Sequence, residues 1–227
     1  MSQKKMTAPA SLDNSKQAQP SAVRGPRARM RKHLLDTAMT MMAEGVTPSI
    51  SELAEQAQVS RATAYRYFPT QSDLVAAVVG ESLGPILSWR PSSDDAAERI
   101  DQLLVYAYPR LEQYEVQLRA AIQISLRQSA EERASKHKNP RPLVRGNRIE
   151  FLKMAVEPLK EEVDDKTFER TVQALSMLYG TEVFLVLKDI WHLELAQIID
   201  IVRWTSRGII EHARKTGKHA TKPSRSK

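Results

Sequence analysis

Arg61 and Arg66 lie five positions apart in VSRATAYRYFPTQSDL, residues 59–74, with Thr63 and Tyr65 between them and Tyr67 just after. Tyr65, Tyr67 and Phe68 crowd three rings into four positions of a chain that is only 6% aromatic. A guanidinium is a planar fork of donors that matches guanine O6 and N7, and hydroxyls bond well to phosphate oxygens. This combination suits the reading of duplex DNA. Arg61 and Arg66 would donate to base edges. Ala62 is small enough to let the backbone approach a groove. Thr63, Tyr65 and Tyr67 offer hydroxyls to phosphates, or Tyr65 packs on a thymine methyl.

Such groups act together only if a rigid element holds them on one side. At 100° per residue, Ala64 and Phe68 fall together as a packing face. Ala62, Thr63 and Arg66 fall opposite, flanked by Arg61 and Tyr65. Ser60 is a good N-cap for a helix over Arg61 to Phe68, and Pro69 stops it. Upstream, Ser49 and Glu52 form an S-x-x-E capping box, so a helix starts near Ile50 with Leu53, Ala54 and Ala57 inward. Its N-terminus, with Ser49 and Ser51, presents amides and hydroxyls to another phosphate. A longer helix begins at Arg27, carries Leu34, Leu35, Ala38, Met41 and Met42 at helical spacing, and ends at Gly45. Thr70 and Asp73 cap a fourth helix that turns Leu74, Val75, Val78 and Val79 inward. Two short helices joined by a tight turn make a helix-turn-helix, whose second helix enters the major groove.

Residues 27–80 resemble the DNA-binding domain of the TetR/AcrR family of transcriptional regulators. SISELA, AQVSRATAYRYF and FPTQSDL carry the resemblance. It implies a three-helix DNA-binding domain joined by a fourth helix to a helical ligand-binding and dimerisation domain. LYGTEVFLVLKDIWHLELAQIIDIVRWTSRGII resembles the last two helices of such proteins, which pair across a dimer. Two positions depart from the pattern. Gln58 stands where members commonly carry Gly, and a left-handed non-glycine costs about 1 kcal/mol. Gln71 stands where they often have a phosphate-contacting Lys, so one charge contact is lost.

The rest of the chain agrees with an all-α fold. Of 227 residues, 41% are hydrophobic, 27% are charged and 8 are glycine, with helix formers dominant. The net charge of +7 favours a polyanionic partner. Absence of cysteine excludes disulfides and thiolate chemistry. The histidines show no metal-ligand spacing, so no metal is expected. No Gly-rich phosphate loop or nucleophile elbow is present, and Glu161, Glu162, Asp164 and Asp165 read as a surface run. No catalytic residue and no cofactor are expected. The most apolar run is broken by Glu182, Lys188 and Asp189, so no membrane span is expected, and a cytoplasmic location follows.

Residues 1–26 read as a disordered basic tail, 27–80 as the helix-turn-helix domain, 81–214 as a helical effector-binding and dimerisation domain, and 215–227 as a second basic tail. Helices are expected over about 93–108, 110–135, 142–160, 165–191 and 193–214, with a loop at 136–142 and stops or kinks at Pro109 and Pro158. Segment 172–191 (Val172, Leu175, Leu178, Val183, Phe184, Leu187, Ile190) is apolar nearly all round. So is 198–210 (Ile198, Ile199, Ile201, Val202, Trp204, Ile209, Ile210). Helices of this kind are buried on two sides, one side a core and the other a symmetric partner, which points to a homodimer. The resemblance implies a cavity for a small-molecule effector. Trp89, Tyr106, Tyr108, Met154, Met177 and Tyr179 are apolar residues that line such a cavity or simply fill the core, so the effector site stays unknown. Arg141, Arg145 and Arg148 suit a solvated face, the alternative being that they meet an acidic group. The chain thus reads as a homodimeric repressor released from a palindromic operator on double-stranded DNA by a small effector. The alternatives are an effector-independent DNA-organising protein and a helical interaction module.

Overall fold

The computed structural model describes residues 25–134 and 148–217. Over them runs a succession of helices: α1 Pro26–Ala43, α2 Ile50–Gln56, α3 Arg61–Tyr67, α4 Gln71–Leu83, α5 Ala96–Gln113, α6 Glu115–Ala134, α7 Arg148–Ala155, α8 Asp165–Ser176, α9 Glu182–Leu187 and α10 Leu195–Thr216. No strand occurs among the described residues, and the fold is all-α. Most of both expected tails and the expected loop at 136–142 lie outside the described residues.

The first three helices start and stop where capping chemistry places them. Ser49 accepts from the Glu52 amide and Glu52 accepts from the Ser49 amide, closing a capping box on α2. Ser60 caps α3, and Thr70 with Asp73 closes a second box on α4. Each cap contributes about 1 kcal/mol, which matters for two helices of 7 residues that cannot stand alone. Leu34, Leu35, Leu53, Ala64, Phe68 and Leu74 form one core under them. A second core gathers around α5. Ile100, Leu103, Leu104 and Tyr108 meet Leu152, Leu175, Phe184, Ile198 and Val202. Helix α6 spans both, since Leu118 joins the second core while Ala120 and Ile124 join the first.

Three expectations are corrected. Helix α5 runs through Pro109 to Gln113. The proline lies on the exposed face of that helix, and so does Val105, whose carbonyl loses its partner there and can turn to water. The break falls instead at Tyr114. Segment 165–191 is two helices and not one, because Met177–Thr181 interrupts it. Gly180 sits at φ 136, a left-handed conformation, and a Cβ there would strike the Arg148 guanidinium. The Tyr108 hydroxyl donates to Leu178 O at 2.7 Å and ties the turn to α5. Burial pushes the Tyr108 hydroxyl well above its usual range, and the Tyr179 hydroxyl up to about 12. The apolar residues of 172–191 therefore serve two short helices presenting different sides to the core, and Ile190 is exposed. Segment 142–160 contains α7 followed by a 3-10 turn over Glu157–Glu161, with Pro158 in its first turn.

Single residues also shift role. Arg148 takes the alternative role of meeting an acidic group: its guanidinium donates to Glu182 at 2.6 Å. Of the expected cavity-lining residues, Trp89, Tyr108 and Tyr179 are buried, whereas Tyr106 is exposed with its hydroxyl on Pro85 O. Glu162 pairs with Arg214, and Asp164 caps α8.

Helix α10 is buried on one side only. Ile198, Val202 and Ile210 point inward to the core, while Trp204 points outward at 77% exposure, on the side expected to meet a partner. Beside Trp204 an open groove of about 640 Å³ runs between α8 and α10, lined by Thr171, Ala174, Gly208 and Ile209. Met177, at the end of α8, is 73% exposed.

Candidate nucleic-acid interface

Helix α3 is held by two buried side chains. Ala64 is 0% exposed and Phe68 2%, and both enter the core under α1 and α2. The opposite arc is open: Arg61, Ala62, Tyr65 and Arg66 are all exposed, Tyr65 by 46%. Ala62 lies in the middle of this arc, with a tyrosine and an arginine on one side and Arg66 on the other. A small residue at the centre and long donors at the edges let the helix approach a groove closely.

Thr63 and Tyr67 are half-buried and sit at the flank beside the core. Thr63 is thus displaced from the outward face on which the helical wheel put it. Its hydroxyl lies 2.9 Å from Ser60 Oγ, and its amide donates to the same oxygen at 3.1 Å. Ser60 and Thr63 therefore make the first-turn cap of α3. The Tyr67 ring packs against the core, and the Arg66 guanidinium stands 5.7 Å from the ring centre.

The turn before α3 is tight. Gln58 has φ 56, the left-handed conformation that its position in the turn requires. The Ala57 carbonyl beside it is bonded to His33 Nε2 of α1 at 3.1 Å. Neither His33 nor Arg31 was among the candidate DNA-contacting residues. The Arg31 guanidinium lies 5.7 Å from the Phe68 ring, which puts a cation next to the end of α3. Their only sequence signal was the basic run ARMRKH at the start of α1.

The starts of α2 and α4 are less open to an anion. The Glu52 carboxylate occupies the Ser49 amide at 2.7 Å, and that hydrogen bond holds the Glu52 carboxyl below its ordinary range. Ser51, on the first turn of α2, remains partly exposed. At α4 the Asp73 carboxylate takes both the amide and the hydroxyl of Thr70, at 3.1 and 2.7 Å. Gln71 commits its amide to Thr47 O and Pro48 O, at 3.3 and 3.1 Å. On α3, by contrast, Arg61 and Arg66 stand exposed.

Among the described residues no cluster of His, Cys, Asp and Glu is placed to hold a metal ion. No helix among them is long and apolar enough to cross a membrane.

Described residues that are all helical, with an N-terminal helix-turn-helix and an open polar face on its second helix, define a class: all-α proteins of the helix-turn-helix type. Residues 34–78 match the family described as bacterial regulatory proteins, tetR family. The match to the TetR family thus covers the helix-turn-helix segment. It is similar to the HTH-type transcriptional repressor LfrR of Mycolicibacterium smegmatis, with 39% identity over 59 residues, 26% of this chain and 31% of that protein. The chain thus aligns with less than a third of that relative's length. Its fold resembles a TetR transcriptional regulator from Rhodococcus sp. RHA1, with a TM-score of 0.56 at 16% identity over 82% of this chain and 97% of the other. It also resembles a tetR-family transcriptional regulator from Streptomyces coelicolor, with a TM-score of 0.60 at 16% identity over 82% of each chain.

Proposed function

We propose that this protein is a sequence-specific, DNA-binding transcriptional regulator that acts as a cytoplasmic homodimeric repressor. The observation that carries the proposal is the open arc Arg61, Ala62, Tyr65 and Arg66 on a helix anchored by Ala64 and Phe68. In this reading Arg61 and Arg66 contact base edges. Thr63 and Tyr67, on the flank, and Ser49, Ser51 and Ser60, at the helix starts, contact the phosphate backbone. Residues 27–80 are the DNA-reading unit and residues 81–214 the effector-binding and dimerisation unit. The word repressor in the name of the similar LfrR supports the negative sign of regulation.

A two-fold dimer places two copies of α3 on successive turns of a palindromic site. The α8–α10 face with its outward Trp204 is the surface offered to a second copy. A small effector would act by population shift. It binds better to a conformation in which the two α3 helices are wrongly spaced, and operator affinity falls by its preference for that conformation.

The test is enrichment of duplexes from a random pool by the full-length protein at fixed salt. A shared motif with two-fold symmetry is expected, bound at least a thousandfold more tightly than a scrambled duplex. Uniform binding of all duplexes would instead describe a DNA-organising protein. No retention of DNA would sink the proposal altogether.

A further inference from the structure

The side chain of Gln71, the first residue of α4, is engaged at both ends. Its Nε2 donates to two consecutive carbonyls of the loop between α1 and α2, Thr47 O at 3.3 Å and Pro48 O at 3.1 Å. Its Oε1 accepts from the Arg127 guanidinium of α6 at 3.1 Å. The orientation of the amide follows from the partners. Turned over, it would set an oxygen against two carbonyl oxygens and an amino group against a guanidinium. One primary amide thus joins α4, α6 and the loop that leads into α2. Pro48 is buried and directly precedes the N-cap Ser49, so the pinned carbonyls are the last two before the first turn of α2.

The neighbouring contacts show what sets this one apart. Gln128 of α6 donates to Ser72 Oγ at 2.6 Å, a bond that ends on α4. Gln117 of α6 donates to Met39 O at 3.3 Å, a bond that ends on α1. Ala120 and Ile124 fill the space between these polar contacts. Helix α6 therefore grips α1 and α4 directly, and through Gln71 it extends to the start of α2, on which α3 packs.

From this arrangement we infer that Gln71 is a positioning residue that couples α6 to α2 through the Thr47–Pro48 carbonyls. Hydrogen bonds weaken steeply with displacement and misalignment. A shift of α6 by an ångström or more must either draw the Gln71 amide with it or break the Arg127 contact. In both cases the loop before α2 loses part of its restraint. A lysine at 71 would keep donors for the two carbonyls, lose the acceptor for Arg127 and place one cation beside another. The consequence for DNA rests on the reading of α3 given above, but the coupling itself does not.

Hydrogen exchange on the full-length protein without DNA tests it, read on peptides covering residues 46–57. Arg127→Ala removes the α6 arm and is expected to speed exchange there roughly three- to tenfold, the loss of a partly exposed charge-assisted bond. Gln71→Glu keeps an acceptor for Arg127 but has no donor for the two carbonyls, and should speed the same peptides. Arg127→Ala added to Gln71→Glu should then change little more. Gln128→Ala, which cuts the adjacent bond to Ser72, should leave these peptides at the wild-type rate. Wild-type exchange in Arg127→Ala would overturn the inference. So would equal acceleration by Gln128→Ala, which would make the contact ordinary packing. A second arm measures affinity for the duplex enriched by the wild-type protein, where Arg127→Ala should lose several-fold and Gln128→Ala should not. If no duplex is enriched, the DNA reading fails while the exchange result still decides the coupling.

Discussion

Arg66→Ala separates base reading from general attraction to DNA. Arg66 is exposed on α3, and its recorded contact is with the Tyr67 ring, 5.7 Å from the guanidinium. An exposed cation–π contact is worth about 0.5–1 kcal/mol, and alanine repays part of that through higher helix propensity. Stability should therefore fall by less than about 1 kcal/mol, which moves Tm by no more than about 2–4 °C in a chain of this size. A lost bidentate base contact costs about 1–3 kcal/mol on the cognate site and little on other DNA. That is roughly five- to 150-fold in Kd, so the two effects separate cleanly. Arg61→Ala should behave in the same way. If Tyr67 contacts a phosphate as proposed, Tyr67→Phe should lower affinity for all duplexes alike. The assay is fluorescence anisotropy with the enriched and a scrambled duplex at one salt concentration, with thermal melts alongside because Ala64 and Phe68 lie on the same turns. If both arginine variants keep full discrimination with native melts, base reading lies elsewhere, in the backbone at Ala62 or in Tyr65.

Other perturbations address the rest of the molecule. Trp204→Glu, on the open α8–α10 face, should turn a micromolar dimer into monomers in sedimentation velocity; a wild-type protein already monomeric there would refute the dimer. Gln58→Gly should stabilise by a few tenths of a kcal/mol in urea melts, since relief of about 1 kcal/mol of left-handed strain is partly offset by glycine's larger unfolded entropy; a clear loss would mean that the Gln58 side chain holds a needed contact. The Asp101 carboxyl is held below its ordinary range chiefly by its hydrogen bond from Arg203, at 2.6 Å, with Arg207 adding to it. A depressed folded pKa stabilises fully above the unfolded value of about 3.9 and is lost as pH falls through the folded value. Asp101→Asn should therefore cost about 1 kcal/mol at pH 7 and flatten the loss of stability below about pH 4; an unchanged acid limb would show that this pair carries no linkage.

Much of the helix-turn-helix unit was legible in the sequence because its signals are local. A cap is a contact between residues three apart, so Ser49 with Glu52, Ser60 with Thr63 and Thr70 with Asp73 mark the starts of α2, α3 and α4 before any tertiary contact is known. Helical period alone put Ala64 and Phe68 inward, and Ala62 and Arg66 outward with Arg61 and Tyr65 flanking them, but it put Thr63 outward too. The flank was harder: Thr63 and Tyr67 depend on how far α3 rolls against α1 and α2, and only the packed structure decides that. In the larger half, apolar residues at 172–191 looked like one helix buried on two sides. Periodicity reports that residues are buried and not which neighbour buries them, so it cannot see a break at Gly180 that Tyr108 secures from 70 residues away. Pro109 misled in the opposite direction, since the cost of its missing amide depends on whether the freed carbonyl meets solvent, and here the helix turns that side outward. The role of Gln71 was beyond any local rule. An amide side chain has no intrinsic partner, and its link to Arg127 exists only because folding carries α6 across the start of α4.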